Sequence, residues 1–321
     1  MESGTTSHRP KESPIQAALR SWDGLNLRNA AIAVTRNEGF TTAIVRTFGG
    51  LVSGQAAAFD LSSSNGALKA PLAIHAHLDH LGAKVAGSRA QALLRLRRLL
   101  EDTRLFKKAR RVIERRQYRK LAASKANLEA MTLVTDGKIP LVVTAQRAAD
   151  ILAALTFAKQ ERIRLVLSGA TEAWRVAPAI ARAKVPVLMD LDRNLPHDFE
   201  TLGARFDNAA RLHRAGIRIA FGARGESHNV RALRQLAGIA VAWGLPRRIA
   251  LAALTTRPAE IFGLKNRGVL RAGARANVVL WNGDPLELAT RAVAVLIAGK
   301  PVPLTSHQSA LLQRYRPRVS R

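Results

Sequence analysis

The 321-residue chain contains no cysteine. That excludes a disulfide framework, a thiolate metal site and a cysteine nucleophile. Acidic residues are scarce: 23 Asp plus Glu face 51 Lys plus Arg, a formal net charge of +28. Aromatic residues make up 5% of the chain, so stacking on single-stranded nucleic acid has few platforms. No apolar run approaches the roughly 18 to 20 residues needed to span a membrane. The N-terminus, MESGTTSHRPKESP, is polar and lacks the apolar core of a secretory leader. The chain therefore reads as soluble, without a membrane partner, and as cytoplasmic unless an upstream leader is missing.

What is present begins with that positive charge. Much of it lies in RLRRLLEDTRLFKKARRVIERRQYRK, residues 95–120. Leu96, Leu99, Leu100, Leu105, Val112 and Ile113 recur within it at spacings that place them on one side of a helix. The stretch predicts an amphipathic helix with a solvated basic face. Its alternative is a phosphate-tracking surface that binds nucleic acid in a salt-dependent way.

From residue 28 onward the pattern alternates. Residues 41–47, 71–76, 139–145, 163–169, 185–190 and 217–222 are short, continuously apolar runs, as strands covered on both faces require. Helical segments are expected at about 86–121, 146–160, 172–183, 202–215 and 229–243. Repeated βα units of this size predict a parallel α/β fold. After helices near 246–255 and 257–263, Gly- and Asp-Pro-punctuated pieces predict a small β appendage, then a short helix and a basic end.

The chemistry-bearing stretch is IHAHLDHLGAK, residues 74–84. It spaces His75, His77, Asp79 and His80 as H-x-H-x-D-H. Side chains of an extended strand alternate, so His75 and His77 share a face and are candidate ligands for one divalent ion. Asp79 and His80, just past the strand, are placed to turn toward a second ion or its water. Alone, this motif resembles the signature of the metallo-β-lactamase fold. That fold requires a third histidine some tens of residues later in a Gly-His-Thr-like turn. No histidine occurs between His80 and His197, and His197 lies in NLPHDFE.

A longer signal lies near the C-terminus. LAALTTRPAEIFGLKNRGVLRAGARANVVLWNGDPLE, residues 251–287, is similar to the C-terminal signature of the amidohydrolase superfamily, in particular of its imidazolonepropionase-like members. Pro258, Ala259, Gly268, Gly273 and Ala276 stand at the motif positions, and Asn277 replaces the usual Asp. EGFTTAIVRTFGGLVSGQAA, residues 38–57, resembles the same family's second barrel strand and the loop after it. The resemblance implies a (β/α) TIM-type barrel over 28–265, a β appendage with the tail over 266–321 and a polar segment at 1–27. About six strands are legible where such a barrel has eight, so the barrel is expected to be incomplete, with an exposed edge that a second copy of the chain would cover.

The resemblance also implies metal-dependent hydrolysis of a C–N bond, in a cyclic amide or dipeptide-like substrate, with zinc or another divalent ion. The ligand positions depart from the pattern. Thr144, Gln146 and Ser168-Gly169 stand where histidines are usual, and His75 and His77 follow the second-strand segment at 38–57, whereas the family's own H-x-H precedes it on the first strand. FGARGESHNV offers Glu226 and His228 near the place of the family's proton-accepting Asp. The expected site is therefore His75, His77, Asp79 and His228 on the metal with Glu226 as the proton acceptor, and a degenerate, weakly active enzyme. Glu172, Asp190 and Asp192 are read as surface or loop carboxylates. A non-enzymatic protein that holds an acidic partner or nucleic acid is the other class of function.

Overall fold

The computed structural model describes residues 13–62, 66–115, 121–223 and 227–316. Among the described residues, seven strands form one sheet in sequential order: β1 (Thr42–Val45), β2 (Val52–Asp60), β3 (Lys69–His77), β4 (Leu141–Ala145), β5 (Leu165–Gly169), β6 (Val187–Asp190) and β7 (Ile219–Gly222). β1, β2 and β3 pair antiparallel, and β3 through β7 run parallel. The sheet curls into an incomplete barrel, as the sequence implies.

Helices alternate with the parallel strands. α1 (Ala30–Asn37) precedes β1. α2 (His80–Ala86), α3 (Arg89–Arg115) and α4 (Lys125–Thr135) connect β3 to β4. α5 (Ala148–Glu161), α6 (Ala177–Ala183) and α7 (Asn208–Arg214) follow the next three strands, and α8 (Leu233–Ala242), α9 (Arg247–Leu254) and α10 (Thr256–Phe262) follow β7. The expected helix at 86–121 is thus α3, and α4 is an additional helix. On α3, Leu96, Leu99 and Leu100 are buried while Arg97, Arg98, Lys107 and Lys108 face solvent. That is the amphipathic arrangement the leucine spacing predicts, each buried leucine contributing about 2 kcal/mol.

The two faces of the sheet carry different cores. Ile74, Leu141, Val143, Leu165, Leu167, Val187 and Ile219 point outward and pack against Leu99, Met131, Phe157, Ile180 and Leu212 of the surrounding helices. Ala58, Ala73, Val142, Val166 and Ala220 point inward, and Ile261 and Phe262 of α10 plug the interior. His75 pairs in register with Val142, and His77 with Thr144, which pairs with Ser168. By strand alternation these polar residues share the inner face with the apolar tier. They lie nearer the C-terminal ends of the parallel strands.

β2 is nine residues long and buried throughout, where the sequence reading placed a loop. Gly54 adopts φ +123°, and a Cβ there would lie 2.5 Å from the Leu19 carbonyl oxygen, so the chain at 13–23 packs directly on this strand. Ile15 and Arg20 bridge Val52 and Gln55.

The appendage is a three-stranded antiparallel sheet, β8 (Val278–Trp281), β9 (Ala292–Ile297) and β10 (Lys300–Pro301), followed by α11 (His307–Tyr315). Val295 and Ile297 pack on Leu61 with Ile32, Phe40 and Ala43 around them. Arg234 fastens the connection by donating to the carbonyls of Pro285, Glu287 and Thr290. No helix among the described residues is long and apolar enough to cross a membrane.

Candidate metal centre at the C-terminal rim of the sheet

β3 delivers the H-x-H-x-D-H motif to the C-terminal end of the parallel strands. Beyond His77 the chain turns, and Asp79 caps α2, its Oδ1 accepting from the Gly82 amide at 3.3 Å. Any side chain at position 82 would collide with the His77 carbonyl, so glycine lets the helix start directly against the strand end.

His75 and His77 share the inner face and differ in their partners. His77 is fully buried. Its Nε2 lies 3.0 Å from Ser53 Oγ and its Nδ1 3.4 Å from Asp79 Oδ1. The longer approach is an electrostatic contact rather than an aligned hydrogen bond. Phe48 packs edge-on against the ring at 5.4 Å. His75 is 3% exposed, and neither of its ring nitrogens has a hydrogen-bond partner among the described residues. Burial, reinforced by the positive charge of Arg46 and by His77, holds its pKa well below the ordinary histidine value, so the ring is neutral. Thr144 Oγ1, on the neighbouring strand, is likewise buried without a partner among the described residues.

Outside this inner strip, Asp79, His80 and Glu200 converge. One ligand atom from each lies within 4.8 Å of the others. Asp79 is fully buried, Glu200 nearly so, and His80 is exposed. Glu200 comes from the long connection between β6 and α7. Its Oε2 accepts from the His80 amide at 2.8 Å and lies 3.2 Å from His80 Nδ1, while its Oε1 accepts from Arg89 Nη2. Arg89 Nε also donates to Asp150 Oδ2 at 3.1 Å. Burial raises the Asp150 pKa above the usual carboxylate range against the opposing pull of Arg89. Two oxygens and one imidazole nitrogen form a donor set suited to zinc or a similar divalent ion, and three protein ligands leave room for water or substrate. The set fits such an ion in part, because Glu200 is already neutralised by a cation.

Of the sequence-derived candidates, the structure brings His77 and Asp79 into contact and sets His75 on the same strand face as His77. Asp79 and His80 belong to the convergent group, and His75 and His77 do not. The backbone of His228 lies in a 3-10 turn, Ser227–Ala232, with its side chain outside the described part, and Glu226 lies outside the described residues. His197 contacts Thr201 and Asp198, and β3 to β7 form one parallel sheet alternating with helices beside the antiparallel β1 and β2, so the architecture is not the stacked sheets of the metallo-β-lactamase alternative. Gln146 is committed elsewhere: its Oε1 accepts from Thr171 Oγ1 at 2.7 Å. Glu172 Oε2 accepts from the Ala148 amide, and Asp190 ends β6. The residue missed from sequence is Glu200, which lies 120 positions from His80 and carries no motif of its own.

Residues 195–303 match the Amidohydrolase family. Among solved structures, the chain is similar to an amidohydrolase from Thermotoga maritima MSB8, with a TM-score of 0.83 at 22% identity, over 91% of this chain and 79% of that one. Among curated proteins it is 43% identical over 58 residues to Amidohydrolase tasK of Hapsidospora irregularis, a match spanning 18% of this chain and 6% of that relative's length. The chain shares the fold of that Thermotoga amidohydrolase and groups Asp79, His80 and Glu200 as a partial set of side chains that could hold a divalent ion.

Proposed function

We propose that this protein is a degenerate amidohydrolase-fold hydrolase of low turnover, with an imidazolonepropionase-like barrel over 28–265 and a β appendage over 266–321. Its substrate is a small molecule with a C–N bond, a cyclic amide or a dipeptide-like amide. The observation that carries this reading is the approach of Asp79, His80 and Glu200 to within 4.8 Å at the strand ends, the place where barrel enzymes put their chemistry. These residues would hold zinc or a related ion, with His77 contacting Asp79 from behind. When bound, such an ion lowers the pKa of its water to about 7 and polarises a carbonyl.

The remaining steps fall to the chain. Glu226 and His228, past the last strand, are the groups proposed to take the proton and complete the ligand set. Neutral His75 presents a buried ring to the inner face, where it orients substrate or water rather than attracting charge. Turnover is low because Thr144 and Ser168 occupy strand-end positions without offering a strong ligand, and Gln146 is engaged by Thr171.

The test is metal content measured on the purified protein, together with hydrolysis of cyclic amides and N-acyl dipeptides. Stoichiometric zinc that is lost in Asp79→Ala/Glu200→Ala, with slow hydrolysis lost in parallel, supports the reading. A protein that stays metal-free in excess zinc and hydrolyses none of these amides overturns it and leaves a binding role for the fold.

A further inference from the structure

Arg89 is the first residue of α3, and its guanidinium reaches two buried carboxylates at once. Nη2 meets Glu200 Oε1, and Nε meets Asp150 Oδ2 at 3.1 Å. Glu200 is thereby fully engaged, since its other oxygen faces the His80 amide and His80 Nδ1. A carboxylate only accepts, so the His80 contact requires the proton on Nδ1 and closes that nitrogen to a cation. Both oxygens of Glu200 and His80 Nδ1 are therefore satisfied internally in this arrangement.

We propose that Arg89 is a cation gate: it latches Glu200 against divalent-metal binding and yields the carboxylate by retreating onto Asp150. This rests on the reading of Asp79, His80 and Glu200 as the metal ligands. The geometry supplies both positions of the latch. Asp150 is 6% exposed and already accepts from Nε, so the guanidinium keeps a buried partner when it leaves Glu200. Both carboxylates already touch the guanidinium, so the exchange consists of Nη2 leaving Glu200 while Nε stays on Asp150. The residue acts on the metal through Glu200, as a positioning residue. In charge terms, a unit positive charge about 5 Å from a divalent ion weakens binding by about tenfold even at the dielectric of water.

The experiment is calorimetric titration of zinc chloride and of manganese chloride into the full chain after chelator treatment, with folding checked by thermal melts. Arg89→Gln is expected to bind zinc at least about tenfold more tightly than the parent chain. Asp150→Asn, which leaves Arg89 with Glu200 as its one full anionic partner, is expected to bind about threefold or more weakly. Opposite shifts in the two variants support the gate, because general loosening of the rim would move both in one direction. If Arg89→Gln fails to fold, the direction of the Asp150→Asn shift decides. Equal affinity across folded variants overturns the gate and leaves the metal reading intact. No binding by any variant overturns both.

Discussion

The two ends of the curled sheet bury polar groups on opposite terms. At the end where β2 finishes and β3 begins, Asp60 is 8% exposed and accepts from Thr42 Oγ1, from both terminal nitrogens of Arg267 and from Asn277 Nδ2. Asn277 spends its own oxygen on the Ala298 amide, and so ties the appendage to the body. At the other end, His75 and Thr144 bury polar atoms with no partner among the described residues, and the Arg89 guanidinium holds Glu200 beside Asp79 and His80. The satisfied end stabilises the fold. The unsatisfied end costs stability, as functional rims of barrels do.

The sharpest way to break this contrast is to empty the satisfied end. Asp60→Ala leaves Arg267, only 14% exposed along its side chain, without its carboxylate. Removing one partner of a largely buried pair should lower unfolding free energy by about 3 kcal/mol, read as a fall in the urea midpoint at unchanged slope. The pH dependence has a definite sign. Burial alone would raise the Asp60 pKa, but hydrogen bonds from Arg267, Asn277 and Thr42 outweigh it and hold the carboxyl below its ordinary value. Its contribution is therefore complete above the unfolded carboxylate pKa, about 3.9, and is lost as pH falls through the depressed folded value. Asp60→Ala should remove that part of the acid transition. An unchanged midpoint would place the anchor elsewhere.

A smaller effect is expected from Asn277→Asp, the residue usual at this place in the resembled family. The change would set a second carboxylate where an amide now donates 2.9 Å to Asp60 Oδ1. Two carboxylates at that distance do not both ionise readily. The variant should lose about 2 kcal/mol at pH 7, and the loss should shrink as pH falls and one carboxyl takes up a proton. A loss that is constant with pH would point to packing rather than charge.

How far these two ends were legible in the sequence follows from how local their causes are. β4 through β7 were readable because both faces are covered, which leaves continuous apolar runs such as LVVTA and LVLSG. β2 was not, because VSGQAAAFD owes its burial to what lies against it: the 13–23 segment crossing Gly54, and β1 and β3 on either side. α4 was hidden in the connection between the helix expected at 86–121 and the strand expected at 139–145. The histidine motif was legible because its four groups fall within six residues. Glu200 joins it only through contacts to His80 and Arg89 across 120 and 111 positions, and no local pattern records that. Asn277 stood out as a departure from a motif, but its role emerged only with Asp60 and Ala298 in place.

The smallest effect, and the one opposite in sign, belongs to the other end. His75→Leu replaces two buried, unpartnered ring nitrogens with a side chain that has no hydrogen-bonding demand. Val142, in register, and Ala73, two residues back on the same strand, belong to the apolar tier on that face, and leucine adds no new unsatisfied group there. Removing unsatisfied buried polar atoms should stabilise, offset by imperfect filling of the imidazole's space, for a net gain of about 1 kcal/mol at pH 7. The pH profile separates this cause from mere packing. The folded His75 pKa lies well below the ordinary value near 6.5, so protons bind the unfolded state first and the parent chain loses stability as pH falls below about 6.5. The leucine variant should lack that slope, and its advantage should widen between pH 6.5 and 5. A destabilised variant would mean instead that His75 binds a ligand in solution that holds its ring nitrogens, and the contrast between the two ends would then be between a permanent network and one completed by a guest.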